Sequence, residues 1–149
     1  MTTEAPCADL LLDNQLCFAL YSTSLLMTKV YKPLLQALHL TYPQYLAMLV
    51  LWEGDGITVG DISNRLLTDP GSVTPLLKRL ESEGLLKRTR SSADERVVEL
   101  FLTEKGRALH AQARSIPSCI LTATQQSSAE LGELKAELVA LRSSLQQAV

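Results

Sequence analysis

ITVGDISNRLLTDPGSVTPLLKRLESEGLLKRTRSSADERVVELFLTEKG, residues 57–106, places two helix signals, a tight polar turn and a strand pair in direct succession. Thr58 is a candidate N-cap with Asp61 three residues on, an acidic variant of the capping box, and Val59, Ile62, Leu66 and Leu67 give a short amphipathic helix. The turn Thr68-Asp69-Pro70-Gly71 follows. Ser72 is placed to cap the next helix with Pro75 in its first turn, Val73, Leu76, Leu77 and Leu80 form the inward face, and Gly84 stops it. Two short helices around a tight turn read as a helix-turn-helix. The non-core face of the second helix carries Ser72, Thr74, Lys78 and Arg79, groups that can contact base edges or phosphates. Residues 85–89 then read as a strand, 91–94 as a turn, and Val98, Leu100 and Leu102 alternate with Val97, Glu99 and Phe101 in a return strand. A basic hairpin in this position is a wing, and it adds Arg88, Arg90 and Arg96 to the candidate DNA contacts.

Outward from this core, helices are expected on both sides. Residues 10–31 contain neither Gly nor Pro, and Leu12, Leu16, Ala19, Leu20, Leu26 and Val30 predict a helix with a wide, largely buried face. Pro33 is expected to break or restart it, leaving a short segment through Leu40. Thr41 offers an N-cap and Pro43 fits the first turn of a strongly apolar helix over 45–52. Thr103 predicts a further helix towards Arg114, with a junction near Pro117. Leu131, Leu134, Leu138, Leu141 and Leu145 form a leucine stripe over residues 128–147, which needs a partner surface. The expected fold is mostly α with a small β-hairpin: one chain, 1–149, with a winged helix-turn-helix DNA-binding core at 45–103 and dimerisation helices at 10–40 and 104–147. A homodimer would set two recognition helices roughly 34 Å apart, one DNA turn.

Composition is compatible with this reading. A net charge of -2 is unusual for a nucleic-acid binder, but residues 61–107 hold nine of the 14 Lys and Arg against eight acids, and Lys87, Arg88 and Arg90 are clustered. Residues 1–9 include acids and no Lys or Arg, and apolar runs are too short for a bilayer, so the expected location is cytoplasmic with no membrane partner. Cys7, Cys17 and Cys119 form neither a CxxC pair nor a zinc pattern with His39 and His110, so neither a metal nor a cofactor is expected. On the residues alone, an unpaired cytosolic Cys reads as a small buried hydrophobe.

The run at 57–106, with DER at 94–96 and LT at 102–103, resembles the DNA-binding core of MarR-type regulators. LDNQLCFALYSTSLLMTKVYKPLLQALHLTYPQYLAMLVLWE, residues 12–53, further resembles the organic hydroperoxide resistance branch of that family. The resemblance implies a repressor of double-stranded operator DNA, not an enzyme, in which Cys17 senses an organic hydroperoxide with Tyr21, Tyr31 and Tyr42 around it, some from the other subunit. Tyrosine hydroxyls that hydrogen-bond a thiolate favour the reactive anion. It also implies Cys119 as the resolving thiol, forming an intersubunit disulfide with Cys17 and releasing DNA, while Cys7 is incidental. Three alternatives stand beside this: a MarR-type repressor induced by a non-oxidant ligand, a thiol peroxidase, and an interaction protein that binds no DNA.

Overall fold

Capping and left-handed stop residues set most of the helix boundaries in the computed structural model, which describes Ala5 and residues 7–149. Among the described residues seven α-helices and one hairpin follow: α1 Leu16–Gln36, α2 Tyr42–Glu53, α3 Val59–Arg65, α4 Pro70–Ser82, β1 Leu86–Arg90, β2 Val98–Leu102, α5 Glu104–Ala113, α6 Ile116–Thr124 and α7 Ser128–Ala148. Thr41, Thr58 and Ser127 each close a full capping box, with Gln44, Asp61 and Glu130 respectively. Each box satisfies two otherwise orphaned donors, and a cap of this type stabilises its helix by about 1 kcal/mol. Three ends share one stop: His39, Leu67 and Gly84 adopt positive φ, and Leu40, Thr68 and Leu85 donate back to the carbonyls of Leu35, Ser63 and Leu80 at 3.0–3.1 Å. This six-to-one bond reverses the chain within two residues, and glycine occupies only one of the three stops.

The first compact unit ends at Ala113 and the second runs from Arg114 to Val149. In the first, Met48 and Leu51 from α2, Ile62 from α3, Leu77 and Leu80 from α4, Leu86 from β1 and Leu100 from β2 are at most 2% exposed. The antiparallel hairpin pairs Leu86 with Leu102 and Arg90 with Val98, so alternate residues of β1 and β2 meet on the core side. A bridge between Ile57 and Leu100 joins the segment before α3 to the hairpin, and Asp55 ties them further: its Oδ2 accepts from Leu102 N–H at 2.9 Å and from Arg107 Nη2 at 2.8 Å. Among the described residues no helix is long and apolar enough to cross a membrane.

Several expectations change. The first long helix begins at Leu16, not Leu10, because side-chain amides take the carbonyls a continuous helix needs. Asn14 Nδ2 donates to Ala8 O, and Gln15 Nε2 to Asp9 O and Leu11 O, leaving 3-10 turns at Ala8–Leu10 and Leu12–Asn14. Pro33 does not break α1. It removes one donor, to the carbonyl of Lys29, at a solvent-exposed stretch where a helix tolerates the loss. The expected short segment through Leu40 is instead the His39 stop. The α1 face is not largely buried: of its side chains only Leu35 is buried, while Leu16, Tyr21 and Leu26 are at least 60% exposed. In α4 the cap is Asp69, not Ser72, so Pro70 opens the helix and Pro75 lies beyond the first turn. The helix expected after Thr103 does run to Ala113, beside Arg114, and the junction near Pro117 is the start of α6; α5 lies within the first unit.

Trp52 Nε1 donates to the Gly106 carbonyl at 2.9 Å, and a Cβ on Gly106 would collide with the backbone carbonyl of Leu85. Gly106→Ala is therefore expected to lower unfolding stability by about 2 kcal/mol in a urea titration, with an unchanged denaturant slope.

Candidate nucleic-acid interface and thiol site

Helix α4 turns Val73, Leu77 and Leu80 inward, and at 3.6 residues per turn this points Gly71, Pro75, Lys78 and Ser82 directly away from the core. Ser72 and Arg79 lie on one flank of that outward strip and Thr74 on the other. Both hydroxyls are taken up at the start of the helix. Asp69 accepts from Ser72 N–H at 3.0 Å and from Ser72 Oγ at 3.1 Å, and Thr74 Oγ1 donates to Pro70 O at 2.8 Å. Lys78 and Arg79 are exposed and, among the described residues, enter no ion pair. Arg79 also lines a groove of 400 Å³ with Gln36, His39, Thr41 and Glu83.

The three wing arginines have distinct settings. Arg96 extends from the tip with its side chain 91% exposed, and Asp94 accepts from its backbone N–H at 3.0 Å and its Nε at 3.3 Å. Arg90 Nη1 donates to Glu95 O at 2.8 Å and closes the wing loop. Arg88 is folded inward. It lies opposite Leu100 in the hairpin, its Nε is 3.3 Å from Glu81 of α4, and two of its nitrogens are buried without a hydrogen-bond partner. Lys87, on the other face of β1, is exposed. The candidate surface thus leaves Lys78, Arg79, Arg90 and Arg96 open to solvent, with Arg88 directed to its own protein.

The residues expected around the thiol divide into two places. Cys17 is in the first turn of α1 with Tyr21 one turn on, both exposed. Tyr31 lies fourteen residues beyond Cys17, about 21 Å along a helix rising 1.5 Å per residue. There it meets Tyr42 and Tyr45, with ring centroids 5.0 Å and 5.8 Å away, and the Tyr42 and Tyr45 rings are 6.3 Å apart. Burial, then the neighbouring Tyr42 and Tyr45, pushes the Tyr31 phenol above its ordinary pKa, and burial followed by Tyr42 does the same to Tyr45. Both are held as protonated hydrogen-bond donors at neutral pH. Cys119 is exposed on α6 in the second unit, and Cys7 is exposed at the start of the first 3-10 turn. Among the described residues no cluster of His, Cys, Asp and Glu could hold a metal ion.

Sequence reading missed Asp69, Tyr45 and the inward turn of Arg88. Asp followed by Pro is itself a start signal, since proline suits the first helical position, and it would have found Asp69. No local signal marks the other two, which depend on packing.

The family described as transcriptional regulator SarA/Rot matches residues 29–112. The organic hydroperoxide resistance transcriptional regulator of Bacillus subtilis (strain 168) is 50% identical over 136 residues, covering 91% of this chain and 92% of that protein. The fold matches the reduced, DNA-bound structure of AbfR with a TM-score of 0.76 at 33% identity, over 93% of this chain and 94% of that one. AbfR of Staphylococcus epidermidis has also been solved alone, matching with a TM-score of 0.75 at 35% identity over 91% and 94% of the two chains.

The Asp69 cap yields a pH prediction. The amide and hydroxyl of Ser72 hold the carboxyl below its usual pKa, so the cap is fully present above pH 3.8 and is lost only as pH falls through the lower folded value. Amide exchange at Ser72 should stay slow at about pH 4 and accelerate below that, an acid step missing from Asp69→Asn.

Proposed function

This chain belongs to the MarR family of transcriptional regulators, in its organic hydroperoxide resistance branch, and from that premise we propose that it is a dimeric, cytoplasmic repressor of operator DNA switched by oxidation of Cys17. The observation that carries the reading is the division of the thiol site. Cys17 and the Tyr31–Tyr42 pair lie about 21 Å apart on one chain. Two copies with antiparallel α1 helices would bring each Cys17 to the tyrosines of the other. The exposed apolar side of α1, with Leu16, Leu26 and Val30, supplies a surface for that pairing, and Leu134, Leu138 and Leu145 of α7 supply another.

The chemistry balances with one equivalent of hydroperoxide. The Cys17 thiolate attacks the peroxide oxygen, the O–O bond breaks, and the departing alkoxide takes a proton to leave as alcohol, giving a sulfenic acid. The Cys119 thiol then attacks that sulfur, water departs, and an intersubunit disulfide forms. Tyrosine hydroxyls donating to the sulfur favour the thiolate. Exposed Leu16 and Phe18 beside Cys17 favour an alkyl over an unsubstituted peroxide. The disulfide requires Cα atoms within about 4.4–6.8 Å, so closing it shifts the helices that carry the recognition elements and ends their joint fit to one operator.

A ligand-induced repressor is the second reading, favoured by a cleft of 350 Å³ lined by Leu51, Trp52, Asp55, Leu102, Arg107 and His110. One titration separates the two. With stoichiometric cumene hydroperoxide, wild type should release operator DNA, reversibly with a thiol reductant, and form a crosslinked dimer that Cys119→Ser does not form. Cys17→Ser should stay bound; wild-type binding left unchanged by the peroxide would favour the ligand reading.

Salt dependence tests the interface. Removing one protein–phosphate ion pair should lower the magnitude of the slope of log K against log salt by about 0.9. Lys78→Gln is expected to do this, and Arg88→Gln to weaken binding with its slope unchanged.

A further inference from the structure

Three tyrosine rings meet where α1 approaches the first turn of α2, and the function proposed above uses only two. Tyr45 is 4% exposed, whereas Tyr31 and Tyr42 are half-buried. We propose that Tyr45 is a positioning residue of the thiol site, its buried ring holding the planes of Tyr31 and Tyr42 so that their hydroxyls meet Cys17 of the partner subunit. The proposal rests on the thiol-switch reading and names the part of that site which sets its reactivity.

The geometry supports this in three ways. The backbone under Tyr42 and Tyr45 is rigid: the Thr41–Gln44 capping box closes the turn and Tyr45 N–H donates to Thr41 O at 2.9 Å. The two residues are three apart on one helix and therefore share a face. Tyr31, arriving from α1, is tilted 54° against Tyr42 and 44° against Tyr45, so its ring rests on both. A phenol pivots on two side-chain dihedrals, and its hydroxyl stays on target only if packing holds both. Tyr45 is the only one of the three buried deeply enough to serve as that backing. Burial also raises the pKa of the Tyr45 phenol itself.

The test is the second-order rate of Cys17 oxidation by cumene hydroperoxide, followed by mass analysis on full-length dimer carrying Cys7→Ser and Cys119→Ser. Tyr31→Phe/Tyr42→Phe should slow oxidation about tenfold or more. Tyr45→Leu should slow it about tenfold in the otherwise intact site and less than twofold when added to Tyr31→Phe/Tyr42→Phe, because a residue acting through those hydroxyls has nothing left to position. Tyr45→Phe, which keeps the ring, should recover the rate to within about threefold of the parent.

A tenfold loss from Tyr45→Leu that persists in the Tyr31→Phe/Tyr42→Phe background marks a general structural defect and overturns the proposal. So does a Tyr45→Phe rate as low as that of Tyr45→Leu, which would place the Tyr45 hydroxyl itself at the sulfur. The Phe variant keeps the packing and so gives an answer even if Tyr45→Leu fails to fold. An undiminished rate in Tyr31→Phe/Tyr42→Phe overturns the tyrosine-assisted site as a whole. A slow Tyr31→Phe/Tyr42→Phe with a normal Tyr45→Leu removes Tyr45 alone.

Discussion

An α-helix advances about 1.5 Å per residue and does not fold back on itself, so the fourteen residues from Cys17 to Tyr31 hold the sulfur and the tyrosines at opposite ends of α1. No side-chain rotamer closes a gap of that size. A reach from Tyr31 or Tyr42 to Cys17 would therefore need a second chain, whereas Tyr21 is one turn away on the same helix, and the apolar residues along α1 are left uncovered in the single chain. Pro33 leaves this geometry intact because the helix tolerates one missing donor where solvent reaches the orphaned carbonyl.

The DNA-facing parts depend on a different set of ties. Asp55 links the segment before α3 to β2 and α5 through a backbone amide and a guanidinium, and Arg88 leans on Glu81 to join the wing to α4. These interactions tie the wing to the recognition helix and leave the side chains of Lys78, Arg79 and Arg96 exposed. A chain with net charge -2 can then present a locally basic surface, because several of its acids are turned to structural use. Asp69 caps α4, Asp61 completes the α3 box, and Asp94 braces the wing tip. The bonds from Arg96, first its backbone amide and then its side chain, hold Asp94 below its ordinary pKa and keep it charged.

Much of this was legible in the chain. The cap at Thr41, the capping box at Thr58, the stop at Gly84 and the alternation through Val98, Leu100 and Leu102 depend on residues close in sequence. Backbone propensity and local hydrogen bonding decide such features, and the helix-turn-helix and wing followed from them. Boundaries failed where side chains competed with the backbone. Asn14 and Gln15 capture carbonyls and delay α1, and His39 and Leu67 accept the left-handed conformation that glycine takes more easily.

Sequence by itself determined the order and type of the elements, the family and the candidate thiols, because these depend on local spacing and on motifs that survive as strings of residues. Tertiary structure alone decided which of the three wing arginines turns inward and that Tyr45 stands behind Tyr31 and Tyr42. It also decided that the face of α1 is uncovered in a single chain. Each of these depends on distances between residues far apart in sequence. Residue identity does not encode such distances until the core has packed.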